Sequence, residues 1–298
     1  MRKYMSEIAL MITALIWGSG FVASAISLEY YTPYQILAGR FLVGAVILTL
    51  VFMKRIKQIK KSTLKRGIIL GIFLYGAFAL QTIGLQFTTP SKNAFLTAIN
   101  VIIVPFISFV IFKRKFDRYE LMGAVLAMAG VGTISLQISG GVNIGDLLTI
   151  GCAVLFAFQI FYTSIFVQKE DPILLTLIQM VTASVLGIVF VFASGQTQIS
   201  LGREALLSVF YLGIFSTTIA FLLQTVAQKY TTETKTAIIL STEAFWGMIL
   251  SVIILKEALT GRMIAGGALI FLAIIISETK PVFFKKKIKP EALAKETI

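Results

Sequence analysis

The chain has no histidine among its 298 residues and only one cysteine, Cys152. Without histidine there is no Ser/His/Asp or Cys/His nucleophile pair and no ordinary zinc site. One cysteine inside an apolar run builds neither a disulfide framework nor a thiolate cluster. There is no Gly-rich phosphate loop, so any driving force is a gradient rather than a nucleotide. No paired carboxylates or His/Glu ligands occur within an apolar run, which excludes a membrane-embedded enzyme and calls for no metal or cofactor. Charge is scarce as well. Charged residues are 14% of the chain, roughly half the usual share for a soluble domain of this size.

Apolar residues fill the gap. They make up 57% of the chain, and the mean hydropathy is +0.89. A helical span needs about 20 mostly apolar residues, so ten spans take roughly 200 positions and leave no room for a soluble domain. Ten runs are read as spans, at about Ser6–Ile26, Pro33–Met53, Gly67–Leu85, Ala94–Phe112 and Tyr119–Leu136 in the first half. Ile144–Val167, Ile173–Ala193, Leu206–Gln224, Ala237–Leu255 and Met263–Ser277 follow in the second. The basic tail, 280–298, is too polar to cross. The first run, with Arg2, Lys3 and Ala23-Ser24-Ala25, also fits a cleaved leader. It is long for one, and its Ala14-Leu15-Ile16-Trp17 has a counterpart in Ala153-Val154-Leu155-Phe156, so it is read as a retained span.

Lysine and arginine orient this arrangement. With the N-terminus inside, 22 of the 27 cations fall on the inner segments, four on the outer loops, and Arg40 within a span. That bias places both termini in the cytoplasm of a cell-membrane protein. It also explains a net charge of +13 by a basic face against anionic lipid, with no nucleic-acid partner.

The chain is duplicated. Shifting it by 143 residues without a gap gives 12 identities in the 46 positions from Phe78 to Gly123, where chance gives about three to five. Gln81-Thr82 falls on Gln224-Thr225, Lys92 on Lys235, Asn100 on Glu243 and Lys113 on Lys256. The units are 1–138 and 144–279, followed by the tail. Five spans per unit force the copies into opposite orientations about an axis in the membrane plane, which is an alternating-access architecture with the substrate site between the repeats.

Polar groups in the spans are the next signal, because each is costly unless paired or facing a wet cavity. Glu243 lies about half way through its span. Three readings stay open for it: a structural pairing with Arg40 or Lys235, a substrate- or proton-carrying carboxylate, or a side chain facing lipid. Arg40 lies about seven residues into its helix, where it either snorkels outward or lends a cation to the cavity. Asn100 and Glu243 are repeat equivalents and reach the pseudo-axis at matching depth. Gln81 and Gln224 are the equivalent amides. Pro105 is expected to kink its span.

Four segments resemble the EamA family of the drug/metabolite transporter superfamily: WGSGF at Trp17–Phe21, Pro33 with Arg40-Phe41, VIIVPFISFVIFKRKFDRYELMGAVLAMAGVG, and STEAFWGMILSVIILKEALTGRMIAGGALI. Glu243 and Glu257 stand where that family commonly has a Glu-Pro-x-Phe-like segment and a Gly-Glu turn. Ala244 replaces the proline, Lys256 replaces the glycine, and Lys115 stands where the first copy would often have its own glutamate. The resemblance implies ten helices in two inverted five-helix repeats, an all-α membrane protein with a central cavity. Trp17, Tyr75, Gln81, Asn100, Tyr162, Gln224, Glu243 and Trp246 would lie near that cavity, with Arg40 as its cation. Aromatic walls with one carboxylate suit an amino acid or organic cation. The expected function is secondary transport, as exporter or exchanger, of such small metabolites by alternating access, with proton coupling an added option. The alternative is a passive channel or facilitator for small solutes.

Overall fold

The structure, a computed structural model, describes residues 2–113, 117–135 and 143–279, and all regular structure among them is helical. The tail at 280–298 and most of the connection between the halves lie outside the described residues.

The first half comprises α1 (Arg2–Ser27), α2 (Pro33–Val51), a single turn α3 (Met53–Ile56) and α4 (Lys61–Leu85). It continues with α5 (Pro90–Thr97), α6 (Asn100–Phe112) and α7 (Arg118–Ser135). The second half comprises α8 (Ile144–Phe166), α9 (Pro172–Ala193) and α10 (Arg203–Tyr211). A π-helical segment, Leu212–Ile219, then runs into α11 (Ala220–Gln228), followed by α12 (Glu233–Leu240), α13 (Glu243–Ile254) and α14 (Gly261–Thr279).

Local chemistry sets the starts. Thr32 caps α2 in a capping box with Gln35 and has Pro33 behind it. Asn143 and Asp146 form the same box on α8, and Asp171 caps α9 ahead of Pro172. In each case a side-chain oxygen takes an otherwise orphaned N–H, and in α2 and α9 proline occupies a position that has none to offer.

Eight spans are long and apolar enough to cross a membrane among the described residues. Three are composite: α5 with α6, α12 with α13, and α10 with the π segment and α11. The remaining two expected spans fall short, with apolar stretches of only Leu121–Gly130 in α7 and Gly261–Ala273 in α14. Those two helices pack on each other so closely that a Cβ on Gly130 would come within 2.6 Å of the Gly266 carbonyl oxygen. The multi-pass character read from the sequence therefore holds, with eight clear spans and two shorter helices.

Spans four and nine, each read from the sequence as one apolar run, are interrupted at the same register. α5 ends at Thr97 and α6 begins at Asn100; α12 ends at Leu240 and α13 begins at Glu243. Hydrogen bonds shorten there to the i−3 carbonyl, as from Ile99 to Leu96 and from Thr242 to Ile239. Ser241 and Thr242 compete for the same carbonyls through their hydroxyls, at 2.7 Å each. The interruption is not at Pro105, which lies inside α6. Further matches lie 143 residues apart. Thr89 and Thr232 are the N-caps of α5 and α12, and Lys113 and Lys256 take positive φ values of 51° and 58°.

Helices of one half pack chiefly on helices of the other. α1 lies against α13 and α11, α4 against α8 and α9, α2 against α9, and α7 against α14. The loops sort into two ends. At the basic end, Arg66 pairs with Glu170, Arg55 with Asp171 at 3.2 Å, and Ser108 donates to Glu233 at 2.7 Å. At the opposite end, Lys92 pairs with Asp146 at 2.7 Å and Ser91 donates to Glu257 at 2.6 Å.

Candidate functional site

A cavity lies between the two interrupted spans. Its walls include Trp17, Phe21, Ser24, Arg40, Phe78 and Gln81 from the first three long helices. Asn100, Phe156, Ile160, Ser216 and Glu243 close it. It is narrow, with about 20 Å³ for the centre of a water-sized sphere, room for about one water molecule. A larger groove of about 440 Å³ between α2, α9 and α10 has exposed Leu42, Phe192 and Phe210 at its rim and no charged lining residue. The central cavity is the candidate site because it alone of the two joins charge to depth.

Arg40 is 1% exposed and has no carboxylate partner among the described residues. Its Nε donates to Thr217 Oγ1 at 2.9 Å and its Nη2 to Ser216 Oγ at 3.1 Å. The guanidinium carbon also lies 4.1 Å from the centroid of Phe78. Two neutral hydroxyls and a ring face thus stand in for water around a buried cation. The π segment supplies them. It gives neighbouring Ser216 and Thr217 to Arg40 while the Ser216 carbonyl accepts from Trp17 Nε1 at 3.0 Å. Single π turns inside α-helices recur at functional sites, and the equivalent stretch in α4 is regular α-helix.

Glu243 is 4% exposed and is the first residue of α13. Among the described residues its carboxyl group makes no hydrogen bond and no ion pair, and the pairing with Arg40 weighed above does not form. Asn100 opens α6 on the facing interrupted span, and its Oδ1 is buried without a donor. A carboxylate and an amide oxygen therefore face the cavity as uncommitted acceptors, while Arg40 supplies donors. Trp17, Phe78, Phe156 and Phe221 box them in, with Trp17 4.8 Å from Phe221 and Phe78 edge-on to Phe156 at 5.1 Å.

Five of the nine expected residues meet at this cavity: Trp17, Arg40, Gln81, Asn100 and Glu243. Gln81 is held by its donation to Thr97 Oγ1 at 3.0 Å. The other four stand back from its walls. Tyr75 stacks on Phe190 at 5.4 Å with its hydroxyl unpartnered. Tyr162 belongs to a stack with Phe73, Phe158 and Phe166. Gln224 donates to Gln159. Trp246 packs edge-on to Phe245, its Cβ close over Gly18. Gly20 and Phe21 lie within the WGSGF motif and were findable from it. Ser216 carried no signal, because LGIFSTTI reads as ordinary apolar helix.

Comparison with known proteins places these features in a family. The EamA-like transporter family model matches the chain twice, over residues 5–136 and 143–279. An uncharacterized transporter of Archaeoglobus fulgidus is 32% identical over 276 residues, covering 92% of this chain and 86% of its own. The uncharacterized transporter YvbV of Bacillus subtilis is 25% identical over 285 residues and is covered to 93%, as is this chain. One solved crystal structure shares the fold with a TM-score of 0.78 over 92% of this chain and 96% of its own, at 16% identity. The chain belongs to the EamA-like transporter family.

Proposed function

We propose that this transporter is a secondary carrier that moves a small zwitterionic or cationic metabolite, an amino acid or an organic cation, by alternating access. The observation that carries the proposal is a cavity holding Glu243 and Arg40 unpaired with each other. Once the cavity widens on opening beyond its room for one water, a zwitterion satisfies both at once, its ammonium on Glu243 and the Asn100 oxygen, its carboxylate on Arg40. A bare organic cation uses the Glu243 end and the ring faces alone.

The matching interruptions of α5/α6 and α12/α13 support two inverted five-helix repeats, 1–138 and 144–279, with α7 and α14 as the fifth and tenth spans. Broken helices at mid-membrane are where carriers of this architecture hold cargo. The cation bias supports both termini on the cytoplasmic side of the cell membrane. An unpaired buried carboxylate needs a positive partner. A proton on Glu243 when the cavity is empty, exchanged for an ammonium when it is full, couples the two fluxes. A cavity with room for one water favours this carrier over the passive channel.

Equilibrium binding of labelled amino acids to the purified protein tests the reading. N-acetylation of the ligand, or Glu243→Gln, is expected to weaken binding roughly 10- to 100-fold, the range for one charge-assisted contact. Amidation of the ligand carboxylate should cost a similar factor in the native protein and little in Arg40→Met. Equal affinity for a zwitterion and its N-acetyl derivative would sink the proposal.

A further inference from the structure

The cavity floor leads into a buried polar seam between α8, α9 and α11. Ile160 lines the cavity, and its carbonyl oxygen accepts from Gln228 Nε2 at 3.0 Å; the same amide reaches Ser164 Oγ at 2.9 Å. One turn earlier on α11, Gln224 Nε2 donates to Gln159 Oε1 at 3.2 Å. From Gln159 a chain runs to Gln179 Oε1 at 3.3 Å, on to Thr225 Oγ1 at 3.5 Å, and ends on the Phe221 carbonyl at 2.7 Å. All four of these polar side chains, and Gln228, are fully buried. The seam runs toward the basic end, where Gln168 donates to the Lys229 carbonyl.

The direction of that chain is forced. A backbone carbonyl only accepts, so the Thr225 hydroxyl donates to Phe221 and must accept from Gln179 Nε2. Gln179 Oε1 then accepts from Gln159, and Gln159 Oε1 from Gln224. The head of the chain, Gln224 Oε1, is left with no donor. The Ile160 carbonyl fixes Gln228 the same way, and its Oε1 is also without a donor. Thr163 Oγ1, on the facing helix α8, is buried with no partner either. Three oxygens on two facing helices are therefore left without a partner, and the two amide oxygens, which can only accept, call for an N–H or O–H donor. The Thr163 hydroxyl, which also donates, can accept beside them. A primary ammonium brings three donors to three oxygens.

We propose that Thr163, Gln224 and Gln228 form a second subsite on the basic-end half of the translocation path, one helical turn beyond the cavity, that takes the primary ammonium of the cargo in transit. This rests on the carrier reading and adds a station to it. In the compact arrangement described here the two amides staple α8 to α11. When the seam parts, the same side chains face the departing ammonium.

The test uses the full-length protein in detergent and two probes of equal charge: methylammonium chloride, with three N–H donors, and tetramethylammonium chloride, with none. At matched ionic strength and saturating concentration, methylammonium should raise the thermal midpoint of the native protein about 2–4 °C above tetramethylammonium. Thr163→Val and, separately, Gln228→Met should remove that increment, whereas Glu243→Gln should keep it. Thr163→Val preserves side-chain shape and both amide staples, so it reports on the subsite even where Gln228→Met lowers the baseline midpoint. No increment in the native protein overturns the proposal and leaves the seam to a bound water. An increment lost only in Glu243→Gln also overturns it, since the amine then binds the central cavity alone and the carrier reading stands. An increment that survives both seam variants overturns it as well.

Discussion

Gly18→Ala is a sharp test of how the two halves position the cavity. Gly18 follows Trp17 on α1 and faces α13. A methyl group there would lie 2.5 Å from Trp246 Cβ, 2.7 Å from the Gly247 nitrogen and 2.9 Å from the Trp246 carbonyl carbon. These atoms belong to the backbone or to the root of a side chain, so no rotamer change relieves the clash. To reach an ordinary contact of about 3.4 Å, α1 has to retreat by roughly 1 Å, because packed interiors do not absorb added volume. Overpacking of this kind costs about 1–3 kcal/mol. The better helix propensity of alanine returns up to about 1 kcal/mol. The net loss of about 1–2 kcal/mol should lower the thermal midpoint by roughly 2–8 °C. The same retreat carries Trp17 away from Ser216 and widens the gap across Glu243, so substrate affinity should fall too. Gly132→Ala is the control, because a methyl group there meets nothing within 4 Å and should hold or raise the midpoint. If Gly18→Ala melts with the native protein or with Gly132→Ala, the close approach of α1 to α13 is wrong.

Three further outcomes follow from other contacts. Thr217→Val removes the acceptor of Arg40 Nε and should cost about 1–3 kcal/mol of stability; preference should also shift from zwitterions toward bare cations in competition binding. Lys256→Gly should stabilise by about 1–2 kcal/mol, the penalty for a side chain at positive φ, read as a higher thermal midpoint. Burial alone would raise the Glu170 carboxyl, but hydrogen bonds from Thr63 and Ser62 and the charge of Arg66 outweigh it and hold it below its ordinary value of 4.5. A depressed carboxyl stabilises above its unfolded value and loses that effect as pH falls through the folded one. The midpoint of the native protein should therefore drop more steeply below about pH 4 than that of Glu170→Gln.

The spans were legible because hydrocarbon demands length and apolarity, and those are counted directly. The duplication was legible through Gln81-Thr82 and Lys92, which recur at one fixed offset. Asn100 and Glu243 stood out because a polar residue at mid-span needs a reason. Their position at a helix interruption was not legible, since Ala98-Ile99 and Ser241-Thr242 leave the hydropathy unbroken. Pro105 was the visible breaker, yet the hydrogen-bond shift falls six residues earlier, where the hydroxyls of the second copy compete for carbonyls. The π segment was hidden for a similar reason: helix type is decided by what the backbone packs against, here Arg40 and Trp17. Tyr162 and Tyr75 were placed near the cavity by the family resemblance, and the structure stacks them on Phe73 and Phe190, back from its walls. Lys256 shows the reverse. Its departure from the glycine of the resembling family marks a turn whose φ of 58° suits glycine better.

Uptake into proteoliposomes, with and without an imposed pH gradient, for the native protein and Glu243→Gln, most directly tests the unpaired Glu243 as the group that couples cargo to a gradient. The expected result is amino-acid or organic-cation uptake that the gradient accelerates and that Glu243→Gln abolishes. Uptake indifferent to the gradient and unchanged by the substitution would contradict it and leave Glu243 a packing residue in a facilitator.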